Sequence, residues 1–177
     1  MTSNEIIQLI RITLEVIGAV TIVIAIIGGL ATFFGWTMGI SMVMKRLGLG
    51  RWYRKVLIIS DVSNGTSLKK DLIDSGVFRE KNIIVIGEQN ISDVKSSDLM
   101  LLDYWSISPE KALTAIANKQ SHAGLVVYSP MKKGRIADEV TERINDEPFT
   151  TLVNMRGRLV NDLLITLMST SYDKKRR

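Results

Sequence analysis

The chain has no cysteine and only one histidine, His122. The first absence excludes disulfide frameworks, thiolate zinc sites and cysteine nucleophiles. The second leaves neither a histidine-rich metal site nor a histidine pair. There is no G-x-S-x-G elbow, no Walker sequence and no G-x-G-x-x-G after a strand, so the reading is of a protein that is not an enzyme and carries no cofactor. Charge is missing as well, but only from one end. Residues 1–44 hold Arg11, Glu5 and Glu15, whereas residues 45–177 hold the other 22 basic and 16 acidic side chains.

What fills the uncharged end is apolar. Val16 to Met44 is 29 residues without Asp, Glu, Lys or Arg. As a helix rising about 1.5 Å per residue it reaches roughly 43 Å, more than the roughly 30 Å of a bilayer's hydrocarbon core. A cleaved signal peptide has a shorter apolar stretch, about 7–15 residues, closed by small residues. Here the run ends in Lys45-Arg46. The expectation is one transmembrane helix within 1–46, embedded in a lipid bilayer. Lys45, Arg46, Arg51, Arg54 and Lys55 crowd its carboxyl side, which orients the chain in the inner (plasma) membrane with the N-terminus outside and the C-terminal domain cytoplasmic.

Small residues mark one face of that helix. Gly18, Thr21, Ala25, Gly28, Thr32, Gly35 and Gly39 follow one another at alternating spacings of three and four. This is the heptad period, and it places all seven on one stripe. In lipid, small residues let backbones approach closely, so the stripe predicts self-association into a homo-oligomer.

Beyond a basic juxtamembrane linker, 47–54, the period changes. Val56–Ser60, Asn82–Gly87, Asp98–Asp103, Gly124–Tyr128 and Phe149–Asn154 read as short apolar strands. Helices are expected at Leu68–Ser75, Pro109–Lys119, Arg135–Asn145 and Arg158–Ser169, the second opened by Ser108-Pro109. The polar segment between strands two and three leaves room for only a vestigial helix. Continuously apolar strands separated by helices predict a parallel sheet covered on both faces. Residues 55–170 are therefore read as a cytosolic α/β sensor domain, doubly wound and flavodoxin-like, with strand order 2-1-3-4-5. The remaining 171–177 form a basic tail.

Ligands of such sheets bind outside the carboxyl ends of the strands. Asp61 to Thr66 follows strand one, and its Ser63-Asn64-Gly65-Thr66-Ser67 run reads as a flexible hydroxyl-rich turn before a helix N-terminus, suited to an anion. Ser129 follows strand four. After strand five, Asn154-Met-Arg156-Gly157-Arg158 places two guanidinium groups around a glycine, suited to bidentate phosphate contacts. His122 lies at the approach to strand four, away from this edge, and reads as structural.

Two family resemblances meet at these positions. Residues 55–170 resemble response-regulator receiver domains. Asp98-Leu-Met-Leu-Leu-Asp103 looks like that family's third strand with its phospho-accepting aspartate, Asp61 like one of its acidic pair, and Ser129 like its hydroxyl after strand four. The resemblance implies Asp103 as acceptor, with Asp61 helping to bind magnesium. The sequence departs from the family at Ser60, where a second acidic residue is expected, at Met155-Arg156, where a lysine is, and at Pro130. The second resemblance is to the CARF domains of CRISPR-associated proteins, including those carried on a membrane helix. An anchor precedes the domain, polar turns follow its first strand, and Asn154-x-Arg156-Gly157-Arg158 stands at a strand-to-helix turn that is glycine-rich in that family. It implies an antiviral effector that perturbs the membrane when a nucleotide messenger binds.

The net charge of +5 does not by itself indicate a nucleic-acid partner, because the basic residues concentrate beside the membrane and at the tail. The resulting expectation is a membrane-anchored regulator whose cytosolic domain senses an anionic ligand, a nucleotide second messenger, and controls helix assembly. The alternative is a tethered, degenerate receiver-like module that binds a protein partner without a small ligand.

Overall fold

The computed structural model describes the backbone of residues 3–170, and the side chains within that span apart from 3–7, 9–10, 41–51, 92–93 and 95–96. The basic tail, 171–177, and the side chains of Lys45, Arg46 and Arg51 lie outside the described residues. The chain forms two compact units, Met1–Met44 and Lys45–Arg177.

The first unit is the body of helix α1 (Ser3–Tyr53). Within it, Arg11–Ile40 is long and apolar enough to cross a membrane, and none of that stretch is buried. Its threonine hydroxyls turn inward: Thr21 Oγ1 donates to Ile17 O at 2.8 Å and Thr32 Oγ1 to Gly28 O at 2.9 Å. Beyond the helix's own adjacent backbone, no heavy atom lies within 4 Å of a Cβ built on Gly18, Gly28, Gly35 or Gly39. The helix does not stop at the expected linker. It runs through 47–53, because glycines at 48 and 50 cost only about 1 kcal/mol each in a helix interior and no proline interrupts it.

The second unit is an α/β domain. Its elements are β1 (Val56–Ile59), α2 (Val62–Asp74), β2 (Ile83–Ile86), β3 (Leu99–Asp103), α3 (Pro109–Asn118), β4 (Gly124–Tyr128), α4 (Asp138–Asp146), β5 (Thr150–Val153) and α5 (Leu159–Ser169). All five strands are parallel, in the order β2-β1-β3-β4-β5. Side chains alternate across a strand, so each central strand feeds two cores. Leu57, Ile59, Met100, Leu102, Leu125 and Val127 pack with Ala112, Ala115 and Ile116 of α3 and Val140 and Ile144 of α4. Val56, Ile58, Leu99, Leu101 and Val126 pack with Leu68 and Leu72 of α2 and Leu159, Leu163 and Leu167 of α5. Between β2 and β3 the chain forms a 3₁₀ stretch, Glu88–Ser96, kinked at Asn90. Its Ile91 and Val94 close the first core.

Two boundaries differ from the sequence expectation for physical reasons. Helix α4 begins at Asp138 rather than Arg135, so Asp138 and Glu139 fall in its first turn, where the helix dipole favours negative charge. Helix α2 begins at Val62, six residues before the expected Leu68. Asp61 caps it by accepting from Asn64 N, and Gly65 lets it lie tightly on the sheet. A Cβ at Gly65 would come 2.5 Å from Val85 Cγ1.

Arg54, one of the basic residues on the carboxyl side of the apolar run, is 1% exposed and donates to Leu167 O and to Thr170 in the second unit.

Candidate functional site

A cavity of about 180 Å³ opens at the carboxyl edge of the sheet, lined by Asn64, Leu68, Asp103, Tyr128, Pro130, Lys133 and Arg156. The lining residues arrive from several parts of the scaffold. Asp103 is the last residue of β3 and pairs in register with Tyr128, the last of β4. Lys133 ends a 3₁₀ turn after β4, and Arg156 begins one after β5. Asn64 and Leu68 come from α2.

The acidic wall is a hydroxyl network. Asp103 is buried, and its Oδ2 accepts from Ser60 Oγ at 2.9 Å. Ser106 Oγ lies 2.6 Å from that same oxygen and 2.8 Å from Asp61 Oδ2. A hydroxyl carries one proton, so Ser106 donates to only one of the two carboxylates at any instant. Asn64 Nδ2 reinforces the Asp61 side by donating to Asp61 Oδ2 at 2.8 Å. The Asn64 backbone N–H and then the Ser106 hydroxyl hold the Asp61 carboxyl below the usual carboxylate range. Among the described residues, no group of three or more His, Asp or Glu could hold a metal ion. The position beside Asp61 that the receiver resemblance assigns to a second acidic ligand is Ser60, whose hydroxyl serves Asp103. The residues therefore do not fit a magnesium site built on an acidic pair at the end of β1.

The basic wall is preset. Arg156 is 48% exposed, its Nε donates to Asp71 Oδ2 at 2.6 Å, and its Nη2 to Ser67 Oγ at 2.5 Å, tying the turn after β5 to α2. Hydrogen bonding to Asp71 raises the Arg156 pKa further above its ordinary value. Burial pushes the Tyr128 phenol up, so it stays protonated and available as a donor at neutral pH.

The structure therefore brings some expected residues together and separates others. Asn64, Asp103 and Arg156 share the cavity, and Asp61 joins them through Ser106. Arg158 does not take part: it is 65% exposed and its Nη2 lies 3.5 Å from Asp162 Oδ1 on α5. Ser129 Oγ accepts from Trp105 Nε1 at 2.9 Å instead. Ser63 and Asn154 are exposed away from the lining, and Gly157 has open space around it. Ser63 to Ser67 is helix rather than a flexible turn, and Thr66 Oγ1 donates to Val62 O one turn back. The cavity also holds Tyr128 and Lys133, which stand outside the expected site residues, and Ser106 hydrogen-bonds to Asp61 and Asp103 beside it. Their only sequence signal is position, each within five residues after the start of a strand's carboxyl-edge turn or at its end.

Comparison of the chain with family models, with curated proteins and with solved structures finds no match.

Proposed function

We propose that this protein is a membrane-anchored regulator whose cytoplasmic domain, a doubly wound, flavodoxin-like sheet, senses an anionic ligand at the carboxyl-edge cavity. The observation that carries this reading is the convergence of Lys133 and Arg156 with the Asn64 amide and the Tyr128 phenol on one small cavity. About 180 Å³ is below the roughly 300–1,000 Å³ of drug-sized pockets, so it admits the phosphoryl part of a nucleotide while the base stays outside. The anion competes with Asp71 for Arg156, and its differential affinity for the released arrangement shifts the conformational balance.

The output runs through α5. Its N-terminus follows the turn that carries Arg156, and its carboxyl end receives Arg54, the residue immediately after α1. The stretch Arg11–Ile40, unburied throughout, presents more apolar surface than a water-exposed helix sustains, which supports the reading that α1 spans the inner membrane. The stripe from Gly18 to Gly39 then sets helix packing in a homo-oligomer, with antiviral membrane perturbation as one outlet of such a switch.

The test is calorimetric titration of the full chain in detergent with adenine and guanine nucleotides. Lys133→Gln with Arg156→Gln is expected to abolish binding, and Arg158→Gln to leave it intact. Equal heats from wild type and the double variant would remove the site.

A second reading is favoured by one specific observation. Lys133 lines the same cavity as Asp103, so a lysine stands near the position where the receiver resemblance needs one, although it comes from the turn after β4. Acetyl-phosphate labelling, lost in Asp103→Asn, tests that reading; an unlabelled wild-type chain retires it.

A further inference from the structure

A second cavity, shallow and open, of about 620 Å³, is lined by Lys69, Arg79, Glu80, Lys81 and Ile83. It belongs to the opposite edge of the sheet from the site above. Ile83 is the first residue of β2 and pairs in register with Val56, the first residue of β1, so this is the edge at which the chain enters the domain. Three cations face one carboxylate here, and Glu80 is spoken for: its Oε1 lies 3.4 Å from Lys69 Nζ. Arg79 stacks on Trp52, with its guanidinium carbon 4.1 Å from the ring centroid. Trp52 remains exposed while held there. Trp52 follows Met44, the last residue of the uncharged run, by eight positions. Even fully extended, that length of chain spans no more than about 30 Å.

We propose that this cavity docks the phosphate groups of anionic lipid headgroups in the leaflet that α1 enters. The proposal rests on the reading of α1 as a membrane span. The chemistry is complementary: clustered lysine and arginine beside a bilayer attract anionic headgroups, arginine takes phosphate bidentately, and an indole beside them suits the interface, with one end apolar and the other wet. The net charge of the lining is positive even after the Lys69–Glu80 pair is counted. The sensor cavity faces the other edge of the sheet, so lipid docking here leaves that cavity open to the cytoplasm.

The experiment follows amide hydrogen exchange in the full chain held in lipid nanodiscs, made either of phosphatidylcholine alone or with phosphatidylglycerol added. Exchange over residues 77–84 is expected to slow at least twofold when the anionic lipid is present, while residues 129–137, at the sensor edge, exchange equally in both discs. Raised salt should remove the difference, and so should the combined variant Lys69→Gln, Arg79→Gln, Lys81→Gln. Inorganic phosphate added to phosphatidylcholine discs should not reproduce it. Equal exchange over 77–84 in both discs, protection that survives high salt, or protection supplied by free phosphate overturns the proposal. If the triple variant unfolds, seen as fast exchange over β3, the salt arm on the wild type decides. A chain that does not remain with either disc overturns the membrane-span reading and this proposal together. A chain that remains but shows no lipid dependence overturns this proposal alone.

Discussion

Arg54 and Thr170, 116 positions apart, are joined twice: Arg54 Nη1 donates to Thr170 Oγ1 at 2.6 Å and Nη2 to Thr170 O at 2.6 Å. With a further bond to Leu167 O, the guanidinium caps carbonyls that α5 cannot pair within itself and puts positive charge at the negative end of its dipole. Charge-assisted bonds contribute about 1.5–3 kcal/mol each and are not additive. Arg54→Met should therefore lower the unfolding free energy by about 3 kcal/mol, with Arg54→Lys intermediate. Denaturant unfolding of the full chain in detergent measures both, and a loss below about 1 kcal/mol would show that the clamp is ornamental.

The buried ammonium of Lys119 is a second fixed point. Its side chain is 0% exposed, lies 3.1 Å from Glu147 Oε1 and donates to Ala123 O at 2.9 Å, joining the end of α3 to the approaches of β4 and β5. Removing one partner of a buried pair costs about 3–5 kcal/mol, whereas an exposed pair contributes about 0–1 kcal/mol. Lys119→Ala should accordingly destabilise the domain by about 3 kcal/mol and Arg143→Ala, which removes a half-exposed partner 3.6 Å from Glu147, by less than about 1. Comparable losses from the two would contradict this ranking.

Gly65 predicts a coupling. A Cβ there meets Val85 Cγ1 at 2.5 Å, and overpacking of this kind costs about 1–3 kcal/mol. Gly65→Ala should destabilise, Gly157→Ala should not, and Val85→Ala should offset part of the Gly65→Ala cost in a double-mutant cycle. Additive single effects would mean that the helix moves away from the sheet instead.

Asp61 gives a pH dependence with a definite sign. Its folded pKa lies below the usual carboxylate range, so the folded state favours the ionised form. Its contribution is present above the unfolded pKa, about 3.9, and is lost as pH falls through the folded value. Asparagine also caps helices, so Asp61→Asn keeps the cap and removes the titration. Between about pH 7 and about pH 3 the wild type should lose more thermal stability than the variant. Parallel melting curves would place the acid sensitivity elsewhere.

These residues also show where sequence reading ends. The parallel sheet was legible because β1, β3 and β4 are continuous apolar runs buried on both faces. The start of α3 was legible from Ser108-Pro109, and Ser108 does cap it. The start of α2 was not, since Ser, Asn, Gly and Thr are weak helix formers. Here tertiary contact outweighs propensity, through the Asp61 cap and the seat of Gly65 against Val85. Arg156 could be read from its turn after a strand. Lys133 could not, because a lysine in a loop is ordinarily solvated and only the convergence of two turns brings it to Asp103. The burial of Arg54 is equally illegible, because counting charges beside an apolar run takes no account of burial.

The Arg156–Asp71 pair sets the last expectation, because it tests the competition on which the proposed sensing depends. The pair is short, 2.6 Å, but half-exposed, and such pairs contribute about 0.2–1 kcal/mol. An incoming phosphate must displace Asp71 from Arg156 or share the guanidinium with it. Asp71→Asn removes that competitor while leaving Lys133, Asn64 and Tyr128 in place. At about 1.4 kcal/mol per tenfold, the variant should bind a nucleotide about 1.4- to fivefold more tightly than wild type, and the gain should disappear in an Arg156→Gln background. Weaker binding by Asp71→Asn would mean that Asp71 orients Arg156 for the ligand rather than competing with it, and the switch would then lie elsewhere in the cavity.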